Sequence, residues 1–219
     1  WETAAHRALA NNSVCYTEKP DIETFMREWT ALIESKSGER GIFNREASKK
    51  QAAKYGRRDP NHEFGTNPCS EIILRPYQFC NLTEVVVRAT DTIKDLERKV
   101  KLATILGTIQ SSYTKFPYLR KVWQRNTEEE RLLGVSLTGI MDNQLMTTEN
   151  HKLAGVLDGL RDVAVATNLE YAELLGIPQS AAITCVKPSG TVSQLVDSAS
   201  GIHARHSPYY IRTVRGDNK

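Results

Sequence analysis

No stretch of the sequence reaches the roughly 18 consecutive apolar residues of a membrane helix, and no secretory leader is recognisable. A membrane partner is therefore not expected. Cysteine is scarce: Cys15, Cys69, Cys80 and Cys185 are the four present, and no two form a Cys-x-x-Cys pair. A disulfide-stapled secreted scaffold is excluded on that count, a zinc knuckle or other metal centre is not expected, and a reducing cytoplasmic location is the default. An excess of one charge is also missing, with 29 Lys and Arg against 26 Asp and Glu for a net charge of +3. The densest basic spots, Lys49-Lys50 and Arg57-Arg58, read as solvated surface, so no nucleic-acid partner is expected. The slight positive balance suits a small ligand that carries phosphate. Repeats and low-complexity tracts are lacking too.

What is present is ordinary globular composition, 40% hydrophobic and 25% charged over 219 residues. That length fits one large domain or a slice of a larger protein. The sequence reads as helix from Trp1 and stops at Lys219 just after a strand-like run, so both ends look cut. Ile22, Phe25, Met26, Trp29, Leu32 and Ile33 recur at helical spacing behind Pro20-Asp21, with a stop at Ser37-Gly38-Glu39-Arg40-Gly41. Residues 44–66 are polar and predict surface loop with short helix. Val85 to Val87 suit a strand. A helix with Ile93, Leu96, Val100, Ala103 and Ile109 on one face begins at Thr90-Asp91. Thr127-Glu128-Glu129-Glu130 matches a capping box opening a helix through Leu132, Leu133 and Val135. A long helix runs from about Asn150 to Leu175, closed by Gly176 and Pro178. Ala182 to Val186 reads as a buried strand, and Tyr209 to Val214 as another. Helices alternating with short strands predict an α/β fold.

The chemistry concentrates in Asn67-Pro68-Cys69-Ser70-Glu71. Pro68 and Pro76 forbid regular helix, and in an extended chain the i, i+2, i+4 spacing puts Asn67, Cys69 and Glu71 on one side. An amide, a thiol and a carboxylate facing one way form a reactive set. Spacing alone still favours the plainer reading, a buried cysteine with two surface polar neighbours. Cys80 lies 11 residues on, too far for a usual zinc-ligand pair, and on spacing alone it is a core cysteine. Pro188-Ser189-Gly190-Thr191-Val192-Ser193 is a small-residue loop after a strand-like run. It lacks the Gly-Lys-Ser/Thr ending of a Walker loop and by itself is an ordinary turn.

Asn67-Pro-Cys-Ser-Glu-Ile72, followed by Phe79-Cys-Asn-Leu-Thr-Glu84, closely resembles the finger-loop region of ribonucleotide reductase large subunits. Ser37-Gly-Glu-Arg-Gly-Ile-Phe-Asn-Arg45 resembles the approach to that loop, and Pro188–Ser193 with Ser200-Gly-Ile-His203 the family's phosphate loop and the segment beyond it. The resemblance covers most of the chain. It implies the family's ten-stranded α/β barrel, residues 1–219 being a central part of that catalytic domain. The finger loop falls at about 65–82 and the phosphate loop at about 187–194. It implies radical reduction of ribonucleotides to deoxyribonucleotides. Cys69 matches the cysteine that becomes a thiyl radical and abstracts the ribose 3′-hydrogen, a step that needs a neutral S–H where most reactive cysteines need a thiolate. Glu71 matches the base for the 3′-hydroxyl, Asn67 the amide that orients the ribose hydroxyls, and Cys80 one of two reducing thiols. Ser189, Gly190, Thr191 and Ser193 match the grip on substrate phosphates.

The 11-residue cysteine separation resembles the adenosylcobalamin-dependent class; iron-dependent members, which need a radical-generating partner subunit, generally carry a longer insertion. The resemblance further implies a ribonucleoside di- or triphosphate substrate, a thioredoxin-type reductant, and an effector-nucleotide site and second reducing thiol upstream of Trp1, so that this segment alone is inactive. A non-catalytic nucleotide-binding module is the alternative from another class. Tyr209-Tyr210, placed unlike the relay tyrosines of the iron-dependent class, reads as packing. His203 and His206 read as polar loop residues, and Cys15 and Cys185 as structural.

Overall fold

The computed structural model of the protein describes residues 12–36, 41–147, 151–211 and 213. Strand β1 (Ser13–Tyr16) pairs in parallel with β2 (Gly41–Asn44), and helix α1 (Ile22–Ser35) lies between them in sequence. Asp21 caps α1 by accepting from Thr24 N at 2.8 Å, the start signal expected at Pro20-Asp21. Helix α2 (Arg45–Ala53) follows, capped by Asn44. Strands β3 (Gly65–Thr66) and β4 (Ile73–Leu74) form a short antiparallel hairpin. Then come β5 (Asn81–Val86), α3 (Ile93–Gln110), α4 (Lys121–Glu130), β6 (Leu133–Thr138), the short α5 (Gln144–Thr147), α6 (His151–Leu175) and α7 (Val192–Leu195).

The layer that carries the site is parallel. Strand β5 pairs with β6 from Asn81↔Leu133 to Val86↔Thr138. On the other edge of β6, Leu133 N donates to Ala182 O, Val135 N to Ile183 O and Cys185 N to Val135 O, with a parallel bridge at Val135↔Thr184. The expected strand at Ala182–Val186 is thus one bridge and three ladder bonds long. Alternation along β5 and β6 sorts the side chains. Val85, Val87, Leu133 and Val135 join Leu96 and Val100 of α3 and Leu160 and Ala164 of α6 in the hydrophobic core. Leu82, Glu84, Gly134 and Ser136 face the opposite way. Burying that core drives the layer together, at about 25 cal/mol per Å² of apolar surface.

The pairing overturns several expectations. Thr127–Glu130 opens no helix: it is the last turn of α4, closed by Arg131 in the left-handed region at φ 46°, and Leu133 begins a strand. A Thr-x-x-Glu spacing recurs inside helices, and here the Glu130 carboxylate is taken by distant partners. The capping box lies instead at the start of α3, where Thr92 N meets Asp95 Oδ2 at 3.0 Å and Asp95 N meets Thr92 Oγ1 at 3.3 Å. The apolar stripe of α1 buries no residue. Tyr209 is not packed, being 92% exposed, and Tyr210 donates its hydroxyl to Gln194 Oε1. Cys15 is exposed. The expected helix at Trp1, its neighbour's stop at residues 37–40, Asn150, and Arg212 and Val214 of the expected last strand lie outside the described residues.

A buried amide ties the two core helices to the third strand. Asn168 of α6, fully buried, donates from Nδ2 to Thr108 Oγ1 of α3 at 2.9 Å and to Ser180 Oγ at 3.0 Å. Its Oδ1 accepts from Ser180 N at 2.9 Å, two residues before the strand-like run. Replacing Asn168 by Leu keeps the volume but leaves a buried N–H without a partner, at a cost of about 1–3 kcal/mol. Urea unfolding of N168L is expected to show a lower midpoint at an unchanged slope.

Candidate active site

The thiol of Cys69 stands at the tip of the β3–β4 hairpin. Thr66↔Ile73 is the last strand pair, and the six residues between are closed by three local bonds. Asn67 N donates to Ile72 O at 3.4 Å, Ser70 N to Asn67 O at 3.0 Å, and Ile72 N to Asn67 Oδ1 at 3.0 Å. Ser70 takes φ 62° to close the turn. The extended presentation of Asn67, Cys69 and Glu71 is therefore corrected: Pro68 and the left-handed Ser70 fold them into a turn. Cys69 is exposed, not buried as spacing alone suggested. The Glu71 side chain points inward, with 0% exposure.

The base of the hairpin is held by a buried ion network. Arg58 donates from Nε to Glu130 Oε1 at 2.9 Å and from Nη2 to Oε2 at 2.8 Å, a two-point contact with both side chains under 5% exposed. Arg58 Nη1 also donates to Ile73 O of β4 at 2.9 Å. Gln78 donates to Glu130 Oε2 at 2.6 Å and accepts from Arg75 N at 2.8 Å. Arg75 Nη2 reaches Glu130 Oε1 at 3.2 Å, and Asn126 Nδ2 donates to Pro76 O at 2.9 Å. Residues 73–78 are thus pinned to the end of α4. The reading of Arg57-Arg58 as solvated surface is wrong for Arg58, which is 7% exposed and also stacks its guanidinium over the Phe64 ring at 4.6 Å.

The second loop approaches from the end of the Ala182–Cys185 run. Lys187 N donates to Ser136 Oγ at 3.0 Å, and Lys187 Nζ donates to Glu71 Oε1 at 3.2 Å. Glu71 Oε2 is buried with no hydrogen-bond partner among the described residues. Ser189, left-handed at φ 54°, donates to Glu84 Oε2 at 2.5 Å. Ser193 Oγ donates to Ser189 O at 2.6 Å. Gly201, at φ 52°, lies so close that a Cβ there would meet Lys187 O at 2.6 Å, so the Ser200-Gly201 backbone braces the loop from behind. Gly190 and Thr191 are exposed at its tip.

Burial and charge act together on the groups between the loops. Burial alone would lower the Lys187 ammonium, but the hydrogen bond and charge of Glu71, helped by Cys69 and Glu84, raise it above the usual lysine value. Burial, then the Glu71 charge, push the Cys80 thiol up, against the opposing effect of Lys187. Cys185 is pushed up to about 12, by burial first and then by Glu71 and Cys80. Both thiols are neutral S–H groups at neutral pH.

The structure therefore brings Cys69, Glu71, Cys80 and the phosphate-loop candidates to one region. Asn67 sits at the same tip, its carbonyl committed to Ile72 N. Ser189 and Ser193 are buried and bonded within the protein, whereas Gly190 and Thr191 face outward. Lys187, Glu84 and Ser136 were not picked out from the sequence. A carboxylate in the otherwise uncharged β5, and a lysine heading the small-residue loop, were the available signals. Cys185, read as merely structural, lies on this same face, its Sγ 3.1 Å from where a Gly134 Cβ would stand.

A hairpin-borne thiol and a buried carboxylate are thus set against a small-residue loop on a mixed α/β layer. No family model matches the chain. It is 30% identical over 244 residues to the adenosylcobalamin-dependent ribonucleoside-triphosphate reductase of Lacticaseibacillus paracasei, covering 96% of this chain and 31% of that protein. The protein of the same description from Lactobacillus leichmannii is 29% identical over 246 residues, with the same coverage. Among solved structures, a B-12 dependent (class II) ribonucleotide reductase superposes with a TM-score of 0.74 at 26% identity, over 92% of this chain and 31% of that one. Along nearly its whole length the chain is thus similar to one segment of the adenosylcobalamin-dependent ribonucleotide reductases. It spans about a third of the length of these relatives.

Two outcomes follow from the geometry. Truncating one side of the buried pair, as in Arg58→Met, leaves Glu130 with Arg75 and Gln78 but without its two-point partner, and is expected to cost about 1–3 kcal/mol in denaturant unfolding. The raised Cys185 thiol binds its proton more tightly when folded than when unfolded. Its contribution to stability is thus complete below its ordinary value of 9.0 and fades as pH rises toward about 12. A Cys185→Ala variant is expected to show a flatter loss of thermal stability across that window.

Proposed function

We propose that the protein reduces ribonucleotides to 2′-deoxyribonucleotides by a radical route, as part of an adenosylcobalamin-dependent reductase. The observation that carries this reading is the division of the Glu71 carboxylate. One oxygen is held by Lys187, and the other is buried and unpartnered beside a hairpin-tip thiol. We assign the three parallel runs of the layer to the ten-stranded barrel of the family, with residues 65–82 as its finger loop and 187–194 as its phosphate loop.

The fit this chain offers to the cofactor is Cys69 itself, exposed on the tip and so reachable by a radical generator. Adenosylcobalamin, when bound, supplies the chemistry that removes the hydrogen atom from that thiol. The sulfur then takes the 3′-hydrogen of the ribose. Glu71 Oε2 accepts the 3′-hydroxyl proton, a role worth about 10²–10⁴ in rate for a positioned base. The Asn67 side-chain N–H group orients the ribose hydroxyls, since its carbonyl is already engaged. The 2′-hydroxyl leaves as water, taking a proton from the neutral Cys80 thiol. Cys80 and a second thiol upstream of this segment give up two electrons and end as a disulfide, the remaining thiol hydrogen forming the new C2′–H bond and Glu71 returning its proton to O3′. Cys69 returns the hydrogen atom to C3′. A thioredoxin-type dithiol resets the disulfide, and an effector nucleotide acts outside this segment.

For the substrate, Gly190 and Thr191 offer exposed backbone and hydroxyl groups to phosphate, with Ser189 and Ser193 fixing the loop's shape. The relatives are ribonucleoside-triphosphate reductases, which favours a triphosphate. The iron-dependent reading is less favoured, because the relatives and the solved neighbour are cobalamin-dependent.

The test uses the full-length protein. Turnover with adenosylcobalamin and no second subunit is expected, and Cys69→Ser is expected to abolish it while nucleotide binding persists. Retained turnover in the serine variant contradicts the radical role. Turnover that requires a second subunit contradicts the class.

A further inference from the structure

Lys187 heads the phosphate loop, yet its side chain is committed to a residue of the finger hairpin. The ammonium donates to Glu71 Oε1 at 3.2 Å on the finger hairpin, while the same residue's backbone N–H is fixed by Ser136 Oγ at 3.0 Å. Its side chain is 22% exposed and that of Glu71 is 0% exposed. A buried carboxylate needs compensation for both oxygens, and here only one receives it. Oε2 stands without a partner. Lysine is suited to this because its ammonium is a compact point charge that binds one oxygen, whereas a forked guanidinium engages both.

The backbone around Lys187 is not free to drift. The Gly201 main chain packs against Lys187 O and Pro188 O, and Ser189 is tied to Glu84. The loop that meets the phosphates and the carboxylate that meets the ribose are therefore joined through one side chain.

We infer that Lys187 is a positioning residue that fixes Glu71 by Oε1, reserves Oε2 as the atom that accepts the 3′-hydroxyl proton, and transmits the seating of the substrate phosphates to that base. This inference rests on the reductase reading above. It assigns Lys187 no direct phosphate contact, although a lysine beside a phosphate loop would ordinarily be given one.

The two roles separate kinetically. Loss of a phosphate contact raises KM and spares kcat, whereas loss of a group that orients a base lowers kcat. In the full-length protein with adenosylcobalamin, Lys187→Met is expected to lower kcat about 100-fold, the scale of a misplaced catalytic group, with KM for the ribonucleotide changed less than about threefold. Lys187→Gln, which keeps a donor without the charge, is expected to fall between, and it carries the test if the Met variant fails to fold. Lys187→Arg is expected to recover less than half of wild-type kcat, because its fork can claim Oε2 as well. A rise in KM with kcat intact, or unchanged kinetics in the Met and Gln variants, overturns the inference while leaving the reductase reading standing. Absence of ribonucleotide reduction by the wild-type protein overturns both.

Discussion

The buried carboxylate of Glu130 is the constraint on which the site depends. It ends α4, immediately before the strand that forms the middle of the parallel layer, and it gathers Arg58, Gln78 and Arg75 around it. Through Arg58 and Gln78 it also fixes the backbone of residues 73–78. The hairpin that carries Cys69 and Glu71 has only two strand pairs of its own, too few to be stable in isolation. Its geometry is borrowed from this ion network. A buried pair adds little net stability compared with a well-packed apolar substitute. What it supplies here is register: a forked guanidinium against a carboxylate admits few alternative arrangements.

From that anchor the chemistry follows in a short chain. The hairpin tip leaves the thiol exposed and turns Glu71 inward. The parallel layer sets Glu84 and Ser136 on the same side, where they fix Ser189 and the Lys187 backbone. Lys187 then closes the gap between the two loops. Polar groups on this face are hydrogen-bonded to one another, with Lys187–Glu71 as an ion pair, and the thiols of Cys80 and Cys185 remain protonated beside them. Between the two loops, Glu71 Oε2 is left buried without a partner among the described residues.

Local signals were read well where the chemistry is local. The Asp21 cap, the long helix ending at Leu175 and the small-residue loop after a strand all follow from residues within a turn of one another. The non-helical stretch that carries Asn67, Cys69 and Glu71 was legible because Pro68 and Pro76 sit in the same block. Arg58 was misread because its partner lies 72 residues away, and its polar neighbours gave every sign of surface. Thr127 to Glu130 misled for the converse reason: the spacing of a cap was present, but the Glu carboxylate was claimed from a distance. Lys187 and Cys185 gained meaning only when the parallel register placed their strand beside β6. Periodicity reports which face a residue takes within its own element and carries nothing about the element across the sheet.

A crystal structure of the full-length protein with a bound ribonucleotide tests the central claim most directly. Glu71 Oε2 is expected about 3 Å from the ribose 3′-hydroxyl, with the Cys69 sulfur facing C3′, the phosphates on the Gly190-Thr191 tip, and Lys187 still on Oε1. A ribose bound away from the hairpin tip, or a Glu71 that leaves Lys187 to point into solvent, would contradict it.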